Sequence, residues 1–405
     1  MRDAVSLCES SNFAASTLAN RSDPSAGSGS RRAVSLASVA AIGVVSMLSP
    51  VSAADPLPEQ LKPHFGVPDE YQGELGEFRS VMKFDDGSRV ENADDWPRRR
   101  EEIRKFWMNE LGPWPELITR PRVEVLTEEN KDGVIWKRIR IGYAPDQTPE
   151  GWLLVPEGDG PFPAVLVVFY EPETSVGLGV DGKPPGPHRD FGIQLAKRGF
   201  VTLNIGTPGG DAYQPEIGDA RCQPLSFHAY VSANCWHALA AMPEVDPERI
   251  GITGHSYGGK WSMFSAALWD KFAAVAVSDP GIVFDETNPS VNYWEPWYLG
   301  LDPDGPTRPR GIPSDDRPRT GAYKRLVESG HDLHELHALI APRPFLVSGG
   351  SEDPPHRWIP LNHTIAVNEL LGYENRIGLT SRPMHSPTAE SNAILFAFFE
   401  HFLAE

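Results

Sequence analysis

Basic residues are scarce in this chain: 37 Lys and Arg stand against 55 Asp and Glu, a formal charge of −18 over 405 residues. Nucleic acid demands a cationic face for its phosphates, so it is excluded as a principal partner. Cysteine is scarcer still, at three, too few for a disulfide-built scaffold. Cys222 and Cys235 are the pair that an oxidising compartment could join; a buried free thiol on a helix is the other reading of Cys235. No apolar run reaches the ~18 residues that a membrane helix needs. No segment repeats at a fixed period, which excludes a solenoid. His331, His334 and His337 lie close together, but their spacing is not that of H-E-x-x-H, and they read as structural histidines. The sequence calls for no metal and no organic cofactor.

The first 53 residues read as a leader. Residues 1–30 are rich in Ser and Ala and lack apolar periodicity. Arg31 and Arg32 precede an apolar run over 33–48, and Ser49-Pro50-Val51-Ser52-Ala53 supplies small residues for cleavage near Ala53. The expectation is an exported protein, secreted or periplasmic, and no Cys at the cleavage point argues for a lipid anchor. Residues 54–120 form an irregular Pro/Gly-rich arm and then a helix from Asn92 or Asp94 to Leu111, stopped by Gly112-Pro113. Its Trp96, Ile103, Phe106, Trp107 and Leu111 recur at helical spacing and predict a face docked on the main domain.

Residues 121–405 make the principal domain. Strand-like runs at 123–126 and 134–141 are joined by Asp132-Gly133, a hairpin signal. A further run at 151–155 follows. The continuous apolar run 164–169 predicts a central strand covered on both faces. From there strands (201–204, 250–253, 273–277, 345–348, 377–380) alternate with helices (191–198, 226–242, 260–268, 322–328, 360–371, 388–403). Antiparallel strands first and βαβ alternation afterwards predict an α/β class with a mostly parallel central sheet and helices on both faces. Residues 281–319 interrupt this order with many Pro and Asp and a cluster of Tyr293, Trp294, Trp297 and Tyr298. An insertion there is expected to lie over the site, its aromatics either stacking on a sugar ring or packing its own small core.

The chemistry centres on Gly254-His255-Ser256-Tyr257-Gly258, the G-x-S-x-G pattern of a strand–turn–helix that presents a nucleophile. Glycines two residues either side of Ser256 remove Cβ atoms that would strike the flanking strand and helix. A serine hydroxyl needs a base oriented by a third group. His385, in the loop after the last strand, is the expected base. The expected acid is Asp353, in the loop after strand 345–348; Asp279, after strand 273–277, and Glu352 are the alternatives. The oxyanion donors are the N–H of Tyr257 with either the N–H of Glu171 or the phenol of Tyr170.

These pieces resemble the α/β-hydrolase superfamily. From about Asp95 to the C-terminus the chain resembles bacterial glucuronoyl esterases and allied acetyl-xylan-esterase-like proteins, in the Leu-Gly-Pro-Trp-Pro at 111–115, Gly254-His255-Ser256 with Gly259-Lys260, and Leu333-His334-Glu335-Leu336 before Ala341-Pro342-Arg343-Pro344. The resemblance implies a carbohydrate esterase acting on a small-molecule or polysaccharide ester, with Lys260, Trp294 and Trp297 touching the sugar. It also carries a departure, since that branch has Arg directly after the serine and this chain has Tyr257. Gly-x-Ser-Tyr-Gly-Gly at 254–259 is similar to prolyl-oligopeptidase catalytic domains, which implies a serine peptidase using Tyr170 for the oxyanion; the β-propeller of such peptidases has no room before the catalytic part. A non-catalytic binding protein on the same fold is the reading from a different class.

Overall fold

A computed structural model of the chain describes residues 56–404; the leader expected over residues 1–53 lies outside them. Nine strands form one sheet in the order β1-β2-β3-β5-β4-β6-β7-β8-β9. β1 (Val123–Lys131), β2 (Val134–Ile141) and β3 (Glu150–Pro156) are antiparallel, and β3 meets β5 (Val201–Ile205) antiparallel. From β5 the sheet is parallel through β4 (Phe162–Val168), β6 (Val245–His255), β7 (Val275–Ser278), β8 (Phe345–Ser348) and β9 (Ile377–Thr380). The hairpin turn is where Asp-Gly placed it: Lys131 pairs with Val134, and Asp132 and Gly133 take φ of 54° and 75°.

The apolar run of β4 is buried because two layers share it. Ala164, Leu166 and Val168 point into a core with α1 (Trp96–Leu111), α4 (Pro224–Ala240) and α5 (Tyr257–Leu268). Val165 and Val167 point the other way, into a core with α3 (Phe191–Ala196) and α9 (Ala389–Phe399). This alternation is the period of two of a strand, with apolar side chains at both phases. A short α2 (Pro172–Ser175) follows β4, and α6 (Gly321–Glu328), α7 (His334–Ile340) and α8 (Trp358–Leu370) complete the helices.

The arm at 56–95 is fixed at both ends. Leu57, Leu61 and Phe65 enter the α9 core, where Phe65 stacks on Phe398 with ring centroids 6.4 Å apart. Farther on, His334 Nε2 meets the carbonyl of Arg79 at 2.7 Å and His363 Nε2 that of Leu75 at 3.0 Å. His331 Nδ1 lies 2.7 Å from a Glu335 oxygen that also accepts from the Trp107 indole at 2.8 Å. His331 and His334 are thus engaged in docking contacts, at and just before the start of a helix (α7) that sequence periodicity did not reveal, and His337 is buried within it. Cys222 and Cys235 are free and buried, the former thiol pushed up to about 12 by burial, so the pairing alternative is not realised.

The turn from β6 into α5 is tightly packed. A Cβ on Gly258 would stand 2.0 Å from the Val168 carbonyl oxygen, and one on Gly254 would stand 2.5 Å from the Gly258 carbonyl. Neither obstacle is a flexible side chain. Gly258→Ala is therefore expected to destabilise the fold by about 3 kcal/mol or more, read as a fall in the denaturant midpoint; an unchanged midpoint contradicts this account of the turn.

Candidate active site

Ser256 sits at the N-cap of α5 with φ 56° and ψ −114°. For a residue with a Cβ and no amide or carboxylate side chain this is strained backbone, costing about 1–3 kcal/mol. The rigid close approach at Gly254 and Gly258 imposes it. α5 begins at Tyr257, so the Tyr257 N–H is one of the first-turn donors with no acceptor inside the helix. The positive end of the helix faces Ser256.

His385 arrives on the loop after β9. Its Nε2 lies 2.8 Å from Ser256 Oγ. Its Nδ1 lies 2.8 Å from Asp279 Oδ2, while Glu352 Oε1 stays 3.8 Å away. The acid against the imidazole is therefore Asp279 rather than Asp353, a correction to the sequence-based expectation. β7 and β8 are paired in register, with Ser278 opposite Ser348, so Asp279 leaves the sheet one residue after the strand. Its positive φ of 51° turns the carboxylate along the strand tops. There Oδ1 accepts from the N–H groups of Gly350 (2.6 Å) and Asp353 (2.9 Å) as well as Glu352 (3.2 Å). A Cβ on Gly350 would lie 2.6 Å from Asp279 Oδ2, so that glycine makes the approach possible.

Asp353 does complementary work. Its two oxygens accept from the N–H groups of Gly281 (2.8 Å) and Ile282 (2.6 Å), and it is fully buried. Burial, with the charge of Asp279 next to it, pushes its carboxyl up. The two loops thus exchange carboxylate–backbone bonds, and only one of the exchanged carboxylates also faces His385.

Arg382 carried no sequence signal, and it fastens the histidine loop. Its Nη2 donates to the His385 carbonyl at 2.7 Å and its Nη1 to the Ser348 carbonyl at 2.7 Å. Its Nη2 also donates to Ser278 Oγ at 3.2 Å. One guanidinium thereby ties the loop to the ends of β7 and β8. His255, packed on His385 with ring centroids 4.7 Å apart, meets the Ser278 carbonyl through Nδ1 at 3.1 Å. Burial holds it well below the usual histidine range, so the ring beside the base is neutral.

Ser256, His385, His255, Tyr170, Glu171 and Arg189 line a cleft of about 240 Å³. Tyr170 lines this cleft beside Ser256, and its phenol is raised in pKa chiefly by burial, with the Ser256 hydroxyl opposing the shift. Its carbonyl accepts from the Thr207 N–H at 2.9 Å, which fixes this residue beyond β4. Glu171 caps α2 from extended backbone.

The expected sugar contacts are placed differently. Lys260 is 2% exposed, donates to the Pro280 carbonyl, and lies 4.9 Å from the centre of the Tyr293 ring. Burial pushes its ammonium down to about 8. Trp294 is 1% exposed and packs edge-on to Tyr323, with its indole donating to Glu295. Trp297, 7% exposed, carries the Arg310 guanidinium on its face at 4.7 Å and meets Tyr213 edge-on. Lys260, Trp294 and Trp297 are outside the cleft lining, and the insertion, which leaves the seventh strand of this chain, packs its aromatics into the main core, Tyr293 against Phe264 and Tyr298 against Tyr257. The ligand atoms of Asp279, Glu352 and His385 lie within 4.8 Å of one another. A cation there would compete with the backbone N–H groups and the imidazole that already occupy Asp279.

A strained serine at a strand–helix turn, an imidazole on it and a buried carboxylate behind, on a mostly parallel sheet with helices on both faces, define the class: a serine hydrolase of the α/β-hydrolase fold. Comparison with known proteins agrees. Residues 188–308 match the prolyl oligopeptidase family (Peptidase_S9). An uncharacterized peptidase, YuxL, of Bacillus subtilis (strain 168) is 27% identical over 129 residues, which span 31% of this chain and 18% of that protein. Among solved structures, a glucuronoyl esterase from Solibacter usitatus superposes with TM-score 0.60 at 17% identity, covering 82% of this chain and 99% of its own. A promiscuous CE15 esterase from a marine bacterial metagenome gives 0.61 at 17%, covering 84% and 100%. A CE15 glucuronoyl esterase from Caldicellulosiruptor kristjansonii gives 0.56 at 19%, covering 84% and 93%. These structural likenesses establish a shared fold.

Asp279→Asn is expected to lower kcat by about 10⁴-fold, as loss of the orienting carboxylate does elsewhere. Asp353→Asn should lower stability more than kcat, because it loosens the start of the insertion. Steady-state kinetics with denaturant melts on both variants check this; the reverse pattern contradicts the assignment of Asp279.

Proposed function

We propose that this protein is an exported serine esterase that cleaves carbohydrate esters, with Ser256 as nucleophile, His385 as general base and Asp279 as orienting carboxylate. The observation that carries the reading is the unbroken chain from Ser256 Oγ to His385 Nε2 and from His385 Nδ1 to Asp279 Oδ2, 2.8 Å at each link. As Ser256 Oγ attacks the ester carbonyl, His385 takes its proton, and Asp279 stabilises the imidazolium while fixing the tautomer. The developing oxyanion is met by the Tyr257 N–H and by the phenol of Tyr170, which lines the cleft with Ser256. A phenol shifted up by burial stays protonated and able to donate. Collapse of the tetrahedral intermediate expels the alcohol with the proton from His385. Water then repeats the sequence on the acyl-enzyme.

The carbohydrate-ester reading is supported by the structural likeness to glucuronoyl esterases over more than four-fifths of this chain. Absence of Arg after the nucleophile sets it apart from the pattern of that branch and leaves the acyl group open to a different recognition. No helix among the described residues is long and apolar enough to cross a membrane. A peptidase is the second reading, favoured by the match of residues 188–308 to the prolyl oligopeptidase family and by the position of Tyr170.

A fluorophosphonate probe is expected to label the wild-type protein and to leave Ser256→Ala unlabelled. Acetylated xylan and methyl glucuronate esters should be hydrolysed with kcat/KM above that for peptidyl anilides by at least about 10²-fold; anilides as the better substrates decide for the peptidase. Tyr170→Phe should lower kcat by about 10²-fold with KM little changed, and an unchanged kcat removes the phenol from the oxyanion site.

A further inference from the structure

One cleft residue is unused by the chemistry just described. Arg189, on the segment between α2 and α3, lines the cleft with Ser256, His385 and Tyr170. Its Nε is buried and has no hydrogen-bond partner. No carboxylate among the described residues comes within ion-pair distance of it, in a chain with 55 acidic residues. Arg189 itself is half-buried. Other guanidiniums have carboxylate or carbonyl partners: Arg308 has Glu295, Arg357 has Asp285, and Arg382 has the carbonyls of Ser348 and His385. Arg376, whose Nε is likewise buried without a partner, lies over the rings of Tyr373 and Phe402. A buried donor without an acceptor beside a nucleophile is costly to the empty protein. It is matched when a ligand supplies the missing acceptor. The planar fork of Arg suits a carboxylate above all, which it binds through two parallel hydrogen bonds.

We propose that Arg189 reads a free carboxylate on the substrate, so that the esters this site prefers are anionic ones carrying a second, unesterified carboxylate near the scissile bond. The charge of Arg189 is felt in the site, favouring the anionic form of Tyr170 and disfavouring a charged His255. Glu171 stands on the same cleft wall without pairing with Arg189. Burial, then the charges of Glu173 and Asp181, raise its carboxyl. His255 lines the same cleft, with its Nδ1 on the Ser278 carbonyl and its buried Nε2 without a partner. In the neutral ring that Nε2 is an acceptor, so the guanidinium is the donor left for a carboxylate. A neutral ester would leave the guanidinium unpaired through turnover, whereas an anionic one pairs it on binding. This inference deepens the esterase reading and rests on it.

The carboxylate can lie on either side of the scissile bond, and matched substrate pairs separate the two. Mono-4-nitrophenyl succinate against its methyl ester places it on the acyl side; 4-carboxyphenyl acetate against phenyl acetate places it on the alcohol side. In one of the two pairs the wild-type kcat/KM should favour the anionic member by at least about 10-fold, mainly through KM and less so at high salt. Arg189→Gln should bring that ratio to about one, and Arg189→Lys should restore part of it. No preference in either pair overturns the proposal, as does a fall of equal size on both members, which marks a structural or oxyanion role. Binding gives a readout without turnover: monomethyl succinate titrated calorimetrically into Ser256→Ala should bind at least about 10-fold more weakly once Arg189→Gln is added. Weaker binding without any ester hydrolysis by the wild type would fail the esterase reading and leave Arg189 as an anion-binding residue. Equal binding by both variants would overturn the role of Arg189.

Discussion

The carboxylate of Asp279 is the fixed point around which the site is arranged. It is fully buried, and an ion so placed persists only where its oxygens are occupied. Three backbone N–H groups from the loop after β8 and one imidazole nitrogen from the loop after β9 occupy them. One side chain therefore joins the ends of three neighbouring strands, and His385 is placed by the need to satisfy a charge. Arg382 supports the same junction from behind, holding the His385 carbonyl to the strand ends.

The other half of the arrangement is backbone strain. Among the described non-glycine residues at positive φ, Ser256 alone is neither Asn, Asp nor His. The close packing of β4, β6 and α5 holds it there, because the glycine positions leave no space for relaxation. Two sheet faces filled at alternate residues of β4 supply the rigidity that this requires. Strain at the serine and charge satisfaction at the aspartate are thus set by separate parts of the fold and meet only across the His385 ring.

The sheet and the nucleophile turn were legible because their signals are local. Asp132-Gly133 dictates its hairpin, the run 164–169 admits no solvated face, and the spacing of Gly254 and Gly258 about Ser256 marks its turn, although the carbonyl that Gly258 clears lies on β4. The imidazole against Ser256 was legible because His385 is the one histidine in the loop following the last strand. The carboxylate behind it was not, because Asp279 and Asp353 both follow strands whose ends are neighbours, and each accepts backbone N–H groups from the other's loop. Which carboxylate turns toward the imidazole is decided by a positive φ at Asp279 and by the space at Gly350, neither of which alternation or composition encodes. Lys260 and Trp294 misled for a related reason. Their residue types suit sugar recognition, but only tertiary packing shows both to be enclosed, the one against Pro280 and the other against Tyr323. Arg189 and Arg382 sit in irregular segments with no motif, where sequence pattern carries no placement at all.

The claim that Asp279 holds the imidazole is tested most directly by proton NMR of the resting protein. A carboxylate-bound histidine Nδ1–H gives a strongly downfield resonance, which should be present in the wild type and in Asp353→Asn and absent in Asp279→Asn. Persistence of that resonance in folded Asp279→Asn, with its loss in Asp353→Asn or Glu352→Gln, would contradict the account.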